Sequence, residues 1–416
     1  MSYLFFKDIN REEFDEFVKK HEYCNLLQSY NWAKVKSNWD HMYTGVYKDN
    51  VLFATGLVLI KRLPLSFCMY YLPRCPIMDY RDNVLVQYYF DQLKKVAKKE
   101  YCIFIKFDPA IHVNDYDSKS YNTNRYEDTD TYLKIFKSCK AIHHGYTMSI
   151  ADTVQPRFQS NVYSYENIEE TLPKHTKRLI KDAERRNVQI IHGQGELLDE
   201  FSRLVELTES RKGVALRDKE YFKTLLENYS EGSVIFLATC NVYQLDQEAK
   251  EKKIQLEKEM AATLENSKKK LHRLEDQLQS VNKDINEYKK IFDEFGQEDK
   301  EIAIAGILSI QFGNTCEMLY AGMDERFKKF MPQYKEYVEN FKWAFDRGCL
   351  WSNMGGVEGS LDDGLTKFKD NFNPTINEMI GEFDIPVYPF MYRLIQKVYE
   401  ILKSKHKWQL FYWQSF

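Results

Sequence analysis

The chain has 416 residues, enough at about 150 residues per domain for two or three domains with full cores. Lys plus Arg (59) nearly balances Asp plus Glu (62), and a net charge of −3 excludes a histone-like or polybasic coat protein while leaving room for local basic patches. Tyr (29) and Phe (27) supply nearly all of the 15% aromatic content, which excludes disorder over most of the length.

The N-terminus reaches Lys7 and Asp8 too soon for the apolar stretch of a secretion signal. A helix is predicted near Arg11 to Lys20, with Phe14, Phe17 and Val18 on its apolar side, and a second near Ser29 to Lys36. Strands near Met42 to Tyr47 and Val51 to Ile60 follow, joined by an Asp49-Asn50 turn. The run from Val51 to Ile60 is the longest apolar stretch and about half a membrane span, so a soluble intracellular protein is expected. Then come a strand Phe67 to Leu72, a helix Leu85 to Lys99 and a strand Cys102 to Phe107. The segment Asp115 to Asn124 has the composition of a calcium loop without its Gly and closing Glu, and reads as a plain loop.

Further on, Lys174 to Arg186 is a basic helix carrying Lys174, Lys177, Arg178, Lys181, Arg185 and Arg186, either a solvated face or a grip on phosphates. Helices near Leu197 to Arg211 and Lys219 to Asn228 lead to a β-rich run, Ser233 to Thr239. From Ser233 to Phe295 there is neither Gly nor Pro. Leu271, Leu274, Leu278, Val281, Ile285, Tyr288 and Phe292 alternate at three and four residues, the seam of a coiled coil. Leu256, Met260 and Leu264 mark an earlier stripe, and Glu265-Asn266-Ser267 offers a turn with Ser267 as N-cap. An antiparallel coiled-coil hairpin over about 244–298 is expected, a single long helix being the competing reading. After it come a strand Ile302 to Ile310, a Gly313-Asn314 turn, a strand Thr315 to Tyr320, a helix Phe330 to Arg347 and a strand Leu350 to Met354.

With the insertion removed, both halves read helix, helix, three strands, helix, strand. An internal duplication explains this, and the order is that of the acetyltransferase-like fold. The expected class is therefore α/β (α+β): two tandem acetyltransferase-like units, the first over 1–155 and completed by about 381–416, the second over 156–380. The eight cysteines contain no CxxC and read as reduced and buried.

Site templates mostly fail. The nearest approach to an acetyl-CoA pyrophosphate loop, Ile190 to Gly195, lacks the leading Gln or Arg and precedes its unit's first helix, so a strand-to-helix turn is the better reading. No HExxH or GxSxG is present, and neither a metal nor a cofactor is expected. Trp32, Lys36 and Trp39 fall at helical spacing, and a cation between two indoles suits an anionic ligand with a sugar part. Two core tryptophans with a snorkelling lysine are the plain alternative. Asp218 is the N-cap of the helix that follows, which sets Arg217 and Tyr221 beside free backbone N–H groups, an anion site in outline or an ordinary capped helix. The tail from Lys403 to Phe416 joins a basic cluster to aromatics, a mix suited to a lipid headgroup interface or to a docked terminal segment.

Several strings taken together resemble the Fem family of peptidoglycan aminoacyltransferases, and within it the MurM type. They are Leu27-Gln-Ser-Tyr-Asn-Trp32, Tyr71-Leu-Pro-Arg-Cys-Pro-Ile-Met-Asp-Tyr80, Phe107-Asp-Pro109, Gln155-Pro-Arg157, Leu319-Tyr-Ala-Gly-Met323, Asn353-Met-Gly-Gly-Val357 and Leu365-Thr-Lys-Phe-Lys-Asp-Asn-Phe372. Cys75 stands where relatives often have Gly, and the aromatic tail is unlike the family. The resemblance implies aminoacyl-tRNA as donor and the stem-peptide lysine of lipid II, or its muropeptide precursor, as acceptor. It implies Ala, Ser or Gly as the residue transferred, and a cytoplasmic protein is expected, with the basic, aromatic tail offering peripheral contact with the inner membrane surface. It further implies acceptor phosphates and sugar against Lys36, Trp32, Trp39, Arg217 and Tyr221, with Tyr320 in the groove and Phe368 near the reacting ester. Lys369 would stabilise the oxyanion or hold the tRNA end, and Asp108 would orient the attacking amine. The rival class is an inactive acetyltransferase-like scaffold that binds a partner through its coiled coil. A CoA-dependent acetyltransferase is a weaker third.

Overall fold

A computed structural model of the chain describes residues 2–120, 123–164, 167–212, 217–264 and 266–404. Its local structure follows from ordinary end and turn chemistry. The helix Arg11–Lys20 starts where the Asn10 side chain accepts from the Glu12 and Glu13 amides, with acidic residues in its first turn and lysines in its last. The strands Asp40–Lys48 and Val51–Arg62 are joined by Asp49 and Asn50, both at positive φ (52° and 62°), the turn that matches strand twist.

Two sheets result. In the first the order is Leu4–Phe6, Asp40–Lys48, Val51–Arg62, Cys68–Arg74, Cys102–Pro109, Phe383–Pro386 and Ile142–His143, with Ile77–Met78 pairing to Val51–Arg62. In the second it is Gln189–Gly193, Ser233–Cys240, Ile302–Phe312, Thr315–Met323, Trp351–Val357, Phe158–Tyr163, Thr375–Met379, His112–Asp117 and Thr123–Arg125. Each sheet runs as an antiparallel meander, then a helix (Asn83–Lys99 or Pro332–Asp346), then a parallel strand. The halves lend strands to each other. Phe383–Pro386 pairs with Cys102–Pro109 in the first sheet, while His112–Asp117 and Thr123–Arg125 extend the second.

The parallel pairs differ between the sheets in one respect that positions the site. In the first sheet pairing runs on to Arg74 opposite Pro109. In the second it spans only Thr315 to Glu317 opposite Trp351 to Asn353, although both strands continue to Met323 and Val357. The second sheet therefore opens a V beyond Glu317 and Asn353.

One apolar core is common to both halves, with Phe14, Trp32, Tyr43 and Leu57 from the first and Phe201, Leu204, Phe222 and Leu308 from the second. The insertion is a helical hairpin, Val242–Ala262 and Lys268–Phe295, whose own core is Leu256, Leu274 and Val281. Its base is tied by Asn241, which caps the first helix and donates to Asp299 at 2.7 Å. Lys270 and Glu259 pair across its far end at 3.0 Å. Ser267 holds the N-cap position without a side-chain capping bond. All eight cysteines are buried and unpaired.

Several expectations need correction. The second helix covers only Trp32–Val35, after a 3-10 turn at Leu26–Gln28, because the Asn31 side chain makes no capping bond at its N-terminus and Ser37-Asn38 turn the chain away. The stretch read as a loop at Asp115 to Asn124 is part of a β-hairpin, in which Tyr126 and Asn377 donate to the Asp115 carboxylate at 2.7 and 2.6 Å. The strands Phe158–Tyr163 and Thr375–Met379, central to the second sheet, carry too many polar residues to read as strands.

Candidate active site

The site starts at the end of the first parallel pair. Gln28, fully buried, donates from Nε2 to the Pro73 carbonyl at 2.6 Å and accepts from the Leu57 amide at 2.8 Å, fixing where the strand Cys68–Arg74 ends. Beyond Pro73, Arg74 (2% exposed) donates its amide to Asp108 Oδ1 at 2.8 Å, and Tyr71 donates its hydroxyl to Asp108 Oδ2 at 3.2 Å. Burial pushes the Asp108 carboxyl up to about 7, with Arg74 pulling the other way and Glu382 adding to the rise. The Arg74 guanidinium crosses to the second half and donates to the Pro156 carbonyl at 2.7 Å. Its Nε is buried without a hydrogen-bond partner among the described residues.

That arginine meets the open V. Glu317, at the last paired position, accepts from Asn353 Nδ2 at 2.7 Å, and burial lifts its carboxyl to about 7 against the pull of Asn353 and Arg74. Asn353 Oδ1 accepts from the Gly355 amide at 2.7 Å, and Gly355 takes a positive φ of 86°. At Gly356 a Cβ would stand 2.4 Å from the Pro156 ring, so the strand edge and the Gln155-Pro156-Arg157 turn are in contact there. Lys369, 4% exposed on the helix Gly364–Asp370, donates from Nζ to the Gly356 carbonyl at 2.8 Å. Asp108, Arg74, Pro156, Gly356 and Lys369 thus form one continuous chain of contacts from the first half to the second.

A second patch holds the cation and aromatic residues. Lys36 is buried, with Nζ 5.5 Å from the Trp32 ring centre and 6.0 Å from that of Tyr221. Burial, reinforced by the Arg217 charge, pulls its ammonium down to about 7. Arg217 lies over Tyr221 at 5.1 Å and hydrogen-bonds Tyr320, and the Tyr221 and Tyr320 rings meet edge to face at 6.0 Å. Asp218 caps the helix Lys219–Asn228 by accepting from the Tyr221 amide at 2.9 Å. Trp39 lies on the bend after the short helix, not on a helical stripe with Lys36, and Lys61 stands 5.5 Å over its ring.

Phe368 is differently placed from its neighbour. Its half-buried ring packs on Tyr334, Tyr337 and Phe372 at 5.7, 5.4 and 5.6 Å, and so anchors the helix that presents Lys369. Behind Asp108, Lys106 pairs with Glu382 at 3.1 Å and Asp384 at 3.0 Å, and His144 reaches Asp384 at 2.8 Å. Against the effect of burial, Lys106 and His144 hold Asp384 down to about 2. Arg74, Glu317, Asn353 and Tyr71 were not singled out from the sequence. Three of them lie inside the strings quoted above and Glu317 lies just before one, but only the sheet geometry turns them toward one cleft. The tail from 405 lies outside the described residues.

The arrangement supplies two buried carboxyls that titrate near neutrality, a buried arginine with a donor to spare, a lysine at an opened strand edge, and a cationic aromatic patch. The model of the FemAB family matches residues 9–400. A lipid II:glycine glycyltransferase of Staphylococcus haemolyticus is 26% identical over 94% of this chain and 95% of its own length. Its counterpart in Staphylococcus aureus is 26% identical over 94% of each chain. The crystal structure of FemX aligns with a TM-score of 0.74 over 95% of this chain and all (100%) of its own, at 23% identity, a likeness of fold. The fold is accordingly mixed α/β, two sheets that each run as an antiparallel meander, a helix and a parallel strand.

Proposed function

Because the chain belongs to the FemAB family, we propose that it is an aminoacyltransferase that moves an amino acid from aminoacyl-tRNA to the stem-peptide lysine of lipid II, as the MurM-like strings suggest. Glycine is the first donor to try, since the relatives are named glycyltransferases, with alanine and serine next. Such a chain works at the inner face of the membrane, where that acceptor is built; among the described residues no helix is long and apolar enough to cross it.

The observation that carries the reading is the run of contacts from Asp108 through Arg74, Pro156 and Gly356 to Lys369, because it spans the two halves at the opened V. The reaction needs little else. The lysine amine attacks the ester carbonyl carbon, the C–N bond forms, the bond to the ribose oxygen breaks, and that oxygen leaves with a proton. An acceptor near neutrality for the amine proton suits Asp108, and the acceptor's own phosphate is the alternative. A cation at the edge suits the tetrahedral oxyanion or the tRNA end, the role given to Lys369. Lys36 and Arg217, set among Trp32, Tyr221 and Tyr320, suit the acceptor's phosphates and sugar.

The test is transfer of radiolabel from separately charged glycyl-, alanyl- and seryl-tRNA to lipid II, with the soluble precursor in parallel. Label on a lysine-containing acceptor is expected and names the donor. No transfer from any of the three, with tRNA binding intact, overturns the reading in favour of a scaffold whose helical hairpin holds a partner.

A further inference from the structure

The last described helix, Pro389–Ser404, presents two apolar faces where the fold uses only one. Its inner face is accounted for. Tyr392 donates to Asp384 at 3.0 Å and packs edge on against Phe104 at 5.5 Å, and Met391 and Ile395 join the common core. The outer face repeats at four residues and is open: Phe390 is 79% exposed, Leu394 49% and Val398 48%. Residues four apart lie one above another on a helix, so these three form a continuous stripe. Isolated exposed apolar residues need no explanation, but a stripe in helical register does.

Charge identifies what covers it. Arg393 and Lys397, both exposed, also lie four apart and border the stripe on its polar side. The sequence then continues through Lys403, Lys405 and Lys407 to Trp408, Leu410, Phe411, Tyr412 and Trp413. From Phe390 to the end at Phe416 the only acid is Glu400. A second protein surface or a second copy of the chain would be met with alternating charges beside the apolar seam. Cations beside an apolar stripe, followed by indoles and phenols, are the composition that lies in the plane of a bilayer with anionic headgroups.

We infer that the outer face of this helix, through Phe390, Leu394 and Val398 flanked by Arg393 and Lys397, docks the protein on an anionic lipid surface. The helix stays packed on the first sheet through Tyr392 while its other face enters the headgroup layer. Docking would hold the first half, with Lys36 and Asp108, against the membrane that carries a lipid-linked acceptor. The inference concerns the surface alone and stands whichever amino acid is transferred.

The experiment is co-sedimentation of the full chain with vesicles of phosphatidylcholine, alone or mixed with phosphatidylglycerol, for the wild type and for L394Q combined with V398Q. Wild-type protein is expected on the mixed vesicles, with weak binding to pure phosphatidylcholine. The double variant is expected to partition about tenfold more weakly. Light scattering and melting of the variant check its fold and assembly. Absence of wild-type binding, or equal binding by a folded variant, overturns the inference and leaves the stripe to the chain's own tail. A wild-type dimer that the variant breaks overturns it in favour of a second copy. No donor or acceptor is present, so failure here leaves the proposed transfer untouched, and transfer to the soluble precursor fails or succeeds independently of it.

Discussion

Three side chains carry the sharpest tests. Lys36 is buried, and in the folded chain it sheds its proton near pH 7, whereas a lysine in the unfolded chain keeps it to about 10.5. Between those values the unfolded state binds the extra proton, so this group makes the protein more stable as pH rises from about 7 toward 10.5. Lys36→Met is thus expected to raise the melting temperature more at pH 6 than at pH 9. Its acceptor KM should rise about ten- to a hundredfold, the worth of one charge-assisted bond. Wild-type affinity for the phosphate-bearing acceptor should fall as pH passes through 7. Asp108 has the opposite sign. Its carboxyl stays protonated to about 7 when folded and ionises near 3.8 when unfolded, so its contribution is present below about 4 and lost as pH rises through 7. Asp108→Asn should remove that slope from a stability–pH profile and lower kcat about a hundredfold. Lys369→Met should lower kcat/KM by a factor on the order of 10² to 10³. Unchanged turnover in either variant would remove that residue from the chemistry.

Elements show where sequence reading stops. The helix–helix–meander–helix–strand order was legible twice over, because caps such as Asn10 and Asp218 and the Asp49-Asn50 turn act through neighbours in the chain. Lys36, Arg217 and Tyr221 were also legible, and the structure brings them together. What could not be read is long range. Arg74 meets Pro156 across 82 positions and Glu317 meets Asn353 across 36, and nothing local marks either pairing. The exchange of strands is likewise long range: His112–Asp117 and Thr123–Arg125, over much of which the sequence reads as a plain loop, are held in the second sheet by partners rather than by an apolar pattern. Two element-scale predictions follow from packing. Gly356→Ala drives a Cβ into Pro156, so the strand edge should move away from the turn, at a cost of about 1–3 kcal/mol in denaturant midpoint and with reduced transfer. Leu274→Ala empties the 1%-exposed centre of the helical hairpin, whose core is separate from the sheets. It should cost the arm about 2–4 kcal/mol, read as faster amide exchange in both arm helices while the sheets keep their protection.

At the scale of the molecule, the two similarly ordered halves are not two independent bodies. Phe383–Pro386 belongs to the first sheet though it follows the whole second half in sequence, and His112–Asp117 belongs to the second though it precedes it. Neither sheet is complete until the other's segments are made. The common core adds to this, with Phe14 and Trp32 packed in the same cluster as Phe201 and Phe222. Ser29 and Tyr229 join hydroxyls across the junction, and Asn31 donates to the Asn228 carbonyl. Gly313 sits so close to the Arg11–Lys20 helix that a Cβ there would lie 2.8 Å from Cys24 Sγ and 3.1 Å from Lys19 Cα. A chain of this length ordinarily unfolds domain by domain. Here the halves should unfold together. Phe222→Ala removes a 1%-exposed ring from the second half's side of the junction, and the loss should be about 3–5 kcal/mol. Amides in Val51–Arg62 and in Ile302–Phe312 should then lose protection by the same factor, and calorimetry should show a single main transition displaced to lower temperature. Loss confined to the second sheet, or two resolved transitions, would show that the halves fold separately. The cleft between Asp108 and Lys369 would then be a joint between moving parts and not a fixed seat.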